Sequence, residues 1–384
     1  MTPTTVVVGG GVIGAAIAQQ LARRGAGEVV LCEQGQGAGA AATVQSGGLL
    51  RQHHTADCDI ELAVRGLPTF QRFGELVGGY CGYQPSGFAL LVGEAEVEAL
   101  RLNVDKVKAA GGRTDLLEPD QLAARYPGLR LDGVAAVAYE PDGGYGNPLG
   151  MTRNLLLAAR SDGARVLDGV LVERLVVRGE RVVGVRTNVG EIACTTVVLA
   201  AGTWSTALAD AVGVELPVSP RWIGLGMSRS ATKSGYRVPA CIDDTSGNYF
   251  RPNGAPGMYF GVSWEPEVPP RSAFPALRSD RIEESRDARL HRVPARAEGR
   301  LAGTRLGVDG YTPDKRPLIG PIGPEGLYVA TGMSGGGFKL APAIGELVAH
   351  EIHTAGEHKS LMPYRPQRFA AQEPIVPEFS YQWM

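Results

Sequence analysis

Residues 5–33, TVVVGGGVIGAAIAQQLARRGAGEVVLCE, constrain the fold more than any other stretch of this chain. The β-branched run at residues 5–8 suits a strand buried on both faces. Gly9, Gly11 and Gly14 then spell G-x-G-x-x-G, and Val12, Ile13, Ala16, Ile17 and Leu21 recur at helical spacing. Gly25 stops that helix, and residues 28–33 form a second β run ending in an acid. Gly9 permits the tight turn, Gly11 lets a pyrophosphate approach the backbone, and Gly14 lets helix and strand pack closely. The helix N-terminus offers free N–H groups and a positive dipole end to phosphates. Glu33 stands where an acid accepts hydrogen bonds from ribose hydroxyls, and it disfavours a 2′-phosphate. Strand, glycine turn, helix and acid together predict a dinucleotide site, and the acid argues against NADP. The motif alone does not choose FAD over NAD.

Composition narrows the class. The 384 residues are 44% hydrophobic and 20% charged, enough for a soluble fold of two domains or one large one. A formal charge of −2 gives no reason to expect nucleic acid or an anionic membrane as partner. The five cysteines are odd in number and form no C-x-x-C pair, so reduced thiols in a cytoplasmic protein are expected. No basic region precedes the apolar run at Val6, so no secretory leader is predicted, and no run of 18 apolar residues predicts a membrane span. His350 and His353 lie one helical turn apart without an acidic or cysteine cluster, so no metal site is predicted.

Three later segments extend the cofactor reading to FAD. Residues 40–52, AAATVQSGGLLRQ, are small and polar, as a loop against a flat ring must be. Residues 169–205 read as three strands with turns at 178–179 and 188–190, then an apolar strand at 196–199 ending in Ala200, Ala201 and Gly202. Residues 312–352 carry a strand at 327–331, the glycines Gly335, Gly336 and Gly337, and an apolar helix predicted from Leu340.

On these motifs the chain resembles the D-amino-acid oxidase superfamily of FAD enzymes, and within it the sarcosine oxidase-like branch. That branch includes the β subunits of proline and hydroxyproline dehydrogenases. The resemblance implies an α/β Rossmann-type FAD domain in three pieces, 1–84, 151–218 and 306–384. It also implies an α+β substrate domain on a mixed sheet, from 85–150 and 219–305. It is weakest over 85–150 and 220–300. Nine arginines lie between 271 and 305 among several acids, and a solvated helix face is expected there.

The resemblance also assigns roles. FAD is expected against Gly9, Gly11, Val12, Ile13, Gly14, Glu33 and Gln34, against Thr43, Gln45, Ser46, Gly47, Gly48 and Leu49, and against Val172, Ala201, Gly202 and Trp204. Gly335, Gly336, Gly337, Phe338 and Lys339 are expected along the ring edge where charge builds during amine oxidation, with backbone N–H groups and the helix start stabilising it. Relatives attach the flavin to a cysteine before a T-P-D sequence or to a histidine in the first loop. Gly307 and Gln45 stand at those positions, so non-covalent FAD is expected. A substrate carboxylate is expected between Arg51, in SGGLLR, and Lys339, in GGGFK, with Arg305 as a rival ligand. Tyr259 falls where oxidases of the branch keep an oxygen-activating lysine, which opens the way to an acceptor other than O2. Tyr249 is expected to line the pocket.

The implied activity is oxidation of the C–N bond of a small amino acid to an imine, with a secondary amino acid of sarcosine or proline type favoured. Four alternatives stay open: a D-amino-acid dehydrogenase on primary amines, a β subunit active only with partner subunits, a biosynthetic tailoring amine oxidase, and a hydroxylase using NAD(P)H. The last lacks a second nucleotide motif.

Overall fold

The computed structural model describes residues 4–37, 39, 41–229, 237–254, 257–262, 279–294 and 300–381. Its centre is a six-stranded sheet in the order Leu318–Pro321, Leu327–Thr331, Thr196–Leu199, Thr4–Val8, Glu28–Glu33, Arg165–Asp168. All neighbours are parallel except the first pair. The valine runs follow from burial on both faces. Val7, Leu31 and Val198 face the helices Val12–Arg23, Pro148–Ser161 and Gly337–Thr354. Val6, Val8, Val197 and Leu199 face the opposite layer, an antiparallel sheet of Val172–Arg178, Arg181–Thr187 and Gly190–Ala193. Helices Val12–Arg23 and Gly337–Thr354 meet where Gly345 lies against Ala16; a Cβ on Gly345 would come within 2.7 Å of the Ala16 backbone.

A second sheet has eight strands in the order Arg300–Tyr311, Ser219–Arg229, Gly257–Val262, Asn248–Pro252, Ala240–Asp243, Phe88–Val92, Ala136–Glu140, Asp115–Leu117. Its one parallel pair joins Ala240–Asp243 to Phe88–Val92, so the sheet is mixed. Met258, Phe260 and Val262 pack toward Ile282 of the helix Ser279–Arg292. By the two-residue alternation of a strand, Tyr259 and Gly261 point the other way.

Three expectations are corrected. The loop at 40–52 contains a helical turn, Ala42–Gln45. The helix expected from Leu340 begins at Gly337, which puts Lys339 in its first turn. The arginine-rich helix is not simply a solvated face. Arg289 is fully buried over the Phe260 ring, and Arg292 is buried with Nε 2.6 Å from Asp243 Oδ2. Arg271, Arg278 and Arg296 lie outside the described residues. All five thiols are free, and among the described residues no helix is long and apolar enough to cross a membrane.

Candidate active site

A cavity of about 1690 Å³ runs along the C-terminal ends of the parallel strands and under the mixed sheet. Pockets for single small molecules hold about 300–1,000 Å³. This one has room for a dinucleotide and a small substrate together. At one end Gly9 has φ 109, and a Cβ there would lie 2.6 Å from the Ala200 carbonyl oxygen. A Cβ on Gly14 would lie 2.0 Å from Gly9 O, so Gly14 serves helix–strand contact and stands off the cavity wall. A Cβ on Gly11 would meet only Thr43 Oγ1, at 3.4 Å, which leaves its backbone open to a ligand. The helix Val12–Arg23 has no side-chain cap, although the Val12 N–H donates to Thr43 Oγ1 at 3.1 Å. Glu33 accepts from the Gly10 amide at 2.6 Å and the Gly35 amide at 2.7 Å, which fixes its carboxylate at the wall. An uncapped helix start, a bare glycine and an anchored acid fit the pyrophosphate and ribose of FAD.

Further along, a Cβ on Gly307 would lie 2.5 Å from Gln45 Cγ. Gly307 and Gln45, the two positions singled out from the sequence for flavin attachment, therefore touch, and neither bears a nucleophile. Gln45 Oε1 is buried without a hydrogen-bond partner.

The glycine loop departs from expectation. Ser334 and Gly335 take positive φ, 47 and 81, while the helix takes up Gly337 directly. The Gly335 amide donates to Asp309 Oδ2 at 2.8 Å and the Gly336 amide to Met333 O at 2.8 Å. Those two N–H groups are thus committed within the protein. What remains for a developing negative charge is the uncapped first turn from Gly337. Gly336 itself stands off the wall.

At the far end Arg51 and Lys339 both line the cavity. Lys339 is buried, and among the described residues its Nζ reaches only Gly335 O at 3.4 Å and Gly336 O at 3.5 Å. Burial, helped by the charge on Arg51, pulls its ammonium down to about 7. Arg51 is half-buried and donates from Nη1 to His53 O; burial lowers it to about 10, against the opposing pull of Glu140. Behind them Arg316 Nε lies 2.5 Å from Asp59 Oδ2, and Tyr364 donates to Asp59 Oδ1 at 2.8 Å. His54 is buried with Nε2 unpartnered, and burial plus Arg51, Lys339 and Arg316 keep it neutral. Asp59 is taken by Arg316, and burial raises the carboxyl of Asp309. Arg51 and Lys339 are thus two cations without a salt bridge among the described residues. That is a seat for a carboxylate.

Tyr249 lies on the wall, wedged between two glycines. A Cβ on Gly47 would lie 2.9 Å from its Cε2, and one on Gly261 would lie 2.2 Å from its Cε1. Tyr259 stands off the wall, in a stack. The Arg251 guanidinium is 4.4 Å from both the Tyr259 and Tyr145 rings, and it donates from Nε to Gly47 O. Arg305 is 5.9 Å from the Tyr259 ring, donates to Val44 O at 3.2 Å and does not line the cavity, which weighs against it as a carboxylate ligand. Gly14 and Gly336 apart, the FAD positions expected from the sequence all line the cavity.

Sequence reasoning missed Arg251, Asp59, Asp309, His54 and Glu140. Arg251 had a usable signal: it sits two residues after Tyr249 in one strand and so shares its face. Asp59 and Arg316 had none, because their pairing is purely tertiary.

Cradle, cavity and paired cations define a flavin-dependent oxidoreductase. The chain matches the FAD dependent oxidoreductase family (DAO) over residues 4–351, and it belongs to that family. It is 30% identical to 4-methylaminobutanoate oxidase (formaldehyde-forming) of Paenarthrobacter nicotinovorans, over 91% of this chain and 43% of that protein. It is 27% identical to mitochondrial sarcosine dehydrogenase of Mus musculus, over 96% of this chain and 41% of that protein. The chain thus spans less than half the length of these two relatives. The structure of L-proline dehydrogenase from P. horikoshii superposes with a TM-score of 0.89 at 27% identity, covering 97% of this chain and 99% of that one.

Proposed function

We propose that this protein oxidises the C–N bond of a small amino acid to an imine, with a secondary amino acid of N-methyl or cyclic type as substrate and FAD held non-covalently. The observation that carries this reading is the pair of cations, Arg51 and Lys339, facing one cavity with neither in a salt bridge among the described residues. Bound FAD supplies the two-electron acceptor for the C–H bond beside nitrogen. Arg51 and Lys339 hold the substrate carboxylate and so fix which carbon faces the acceptor. The same positive charge disfavours a protonated amine, which promotes the neutral form needed for hydride loss without a dedicated base. Tyr249, raised to about 12 by burial, stays neutral and walls the site. The touching Gly307 and Gln45 support non-covalent attachment. The likeness to L-proline dehydrogenase favours a proline-type substrate. Tyr259, clamped by Arg251 in place of a free lysine, favours an acceptor other than O2. A cytoplasmic location fits the reduced thiols.

The test is anaerobic flavin bleaching with L-proline, sarcosine, N-methyl amino acids, D-alanine and glycine in turn, followed by air. Bleaching by secondary amino acids with slow reoxidation in air is expected; bleaching by D-alanine alone would move the reading to primary amines. Arg51→Ala or Lys339→Met should lower kcat/KM roughly 30- to 1,000-fold, the effect of leaving a buried charge unpaired, with FAD retained. Wild-type reduction kinetics in both variants would remove the carboxylate assignment.

A further inference from the structure

The last described segment of the chain reaches back to the substrate end of the cavity. Tyr381 is buried in the cluster of Phe88, Leu90, Leu100 and Val104. Its hydroxyl lies 2.7 Å from His53 Nε2 and accepts from Asn103 Nδ2 at 2.9 Å. The same Nδ2 also reaches Phe379 O at 3.3 Å, which fixes the orientation of the Asn103 amide. The Tyr381 oxygen accepts from the Asn103 amide, and its O–H donates to His53 Nε2 when the imidazole proton sits on Nδ1. Burial and the neighbouring Arg51 push the His53 imidazole down to about 3, so the ring stays neutral and holds Tyr381 through one hydrogen bond at Nε2. Asn103, Tyr381 and His53 thus form one buried hydrogen-bonded chain.

His53 is in turn the residue that grips Arg51. Its carbonyl accepts from Arg51 Nη1. Its amide, with that of Gln52, is held by the fully buried Glu140 carboxylate at 2.5 and 2.7 Å. The backbone at residues 52–53 is thus anchored from one side by Glu140 and through the imidazole by Tyr381. We propose that Tyr381 is a positioning residue, which through His53 fixes the guanidinium of Arg51 for a substrate carboxylate. This rests on the reading of Arg51 as carboxylate ligand.

The experiment uses the FAD-loaded protein with propionate as a simple carboxylate probe, its binding followed by the change in flavin absorbance. Tyr381→Phe removes one hydroxyl and keeps the ring in its cluster. It should weaken propionate roughly 3- to 10-fold, the effect of one lost buried hydrogen bond. KM for the amino-acid substrate should rise in step, kcat and FAD retention should hold, and the melting temperature should stay nearly constant. His53→Gln, which keeps an acceptor, should retain more affinity than His53→Leu. The effect of Tyr381→Phe should shrink in an Arg51→Lys background, since the two would share one interaction. A lower melting temperature with unchanged propionate affinity would make Tyr381 a packing residue only and overturn the proposal, as would full additivity with Arg51→Lys. Propionate binding that ignores Arg51→Ala would instead sink the carboxylate reading itself, a result separable from either of the others.

Discussion

Lys339 sits in a first helical turn, buried and drawn down to about 7, with two long contacts to backbone oxygens among the described residues. An ammonium so placed is charged below about pH 7 and neutral above it, whereas a carboxylate bound beside it restores the charge. Carboxylate affinity should therefore be flat below pH 6. It should weaken as pH rises through 7, by up to about tenfold per unit where binding takes up one proton. Propionate titrations from pH 5.5 to 9 would display this slope, and Lys339→Met should flatten it while leaving the weaker attraction to Arg51, which stays charged to about 10. A slope that survives the substitution would place the titrating group elsewhere.

The wedge of Tyr249 between the loop at Gly47 and the strand Gly257–Val262 makes a specific demand on that strand. Gly261→Ala would set a methyl 2.2 Å from the tyrosine ring, too close to be absorbed without moving it. A loss of about 1–3 kcal/mol by urea unfolding is expected from such overpacking, together with a raised KM. Gly261→Ala combined with Tyr249→Leu should recover part of the stability. At this scale the sequence was most legible where function is local. The strand–glycine–helix unit, the three antiparallel strands after residue 171 and the strand before the glycine loop each announce themselves within about ten residues. Arg51 and Lys339 could be picked out because each lies inside a short motif. The start of the helix at Gly337 was harder to read, because three glycines look like a turn until Asp309 is seen holding the Gly335 amide. Arg316 and Asp59 were illegible, since nothing near either residue names the other.

The cavity is bounded by both large sheets and by residues from nearly the whole length of the chain. FAD bound there adds contacts between pieces already joined by packing and by bonds such as Arg251 to Gly47 O and Arg305 to Val44 O. Removing FAD should lower the melting temperature by several degrees, and adding it back at about 100 times its Kd should return about 2.7 kcal/mol. Calorimetry on apo and reloaded protein would measure it; equal midpoints would mean that the cradle is not part of the cooperative unit.

The strand order has a consequence for biosynthesis. Thr196–Leu199 pairs on one side with Thr4–Val8 and on the other with Leu327–Thr331. As the chain leaves the ribosome, that second edge stays bare until the later strand emerges, on the order of ten seconds afterwards. During that interval a row of unpaired backbone groups flanked by valines is open to other nascent chains. The wall formed by Gly335–Lys339 does not yet exist, so the cofactor cannot rescue the half-built sheet. Yield in a cell should accordingly depend on chaperone capacity during synthesis, and flavin supply should matter only once the glycine-loop helix has closed the site.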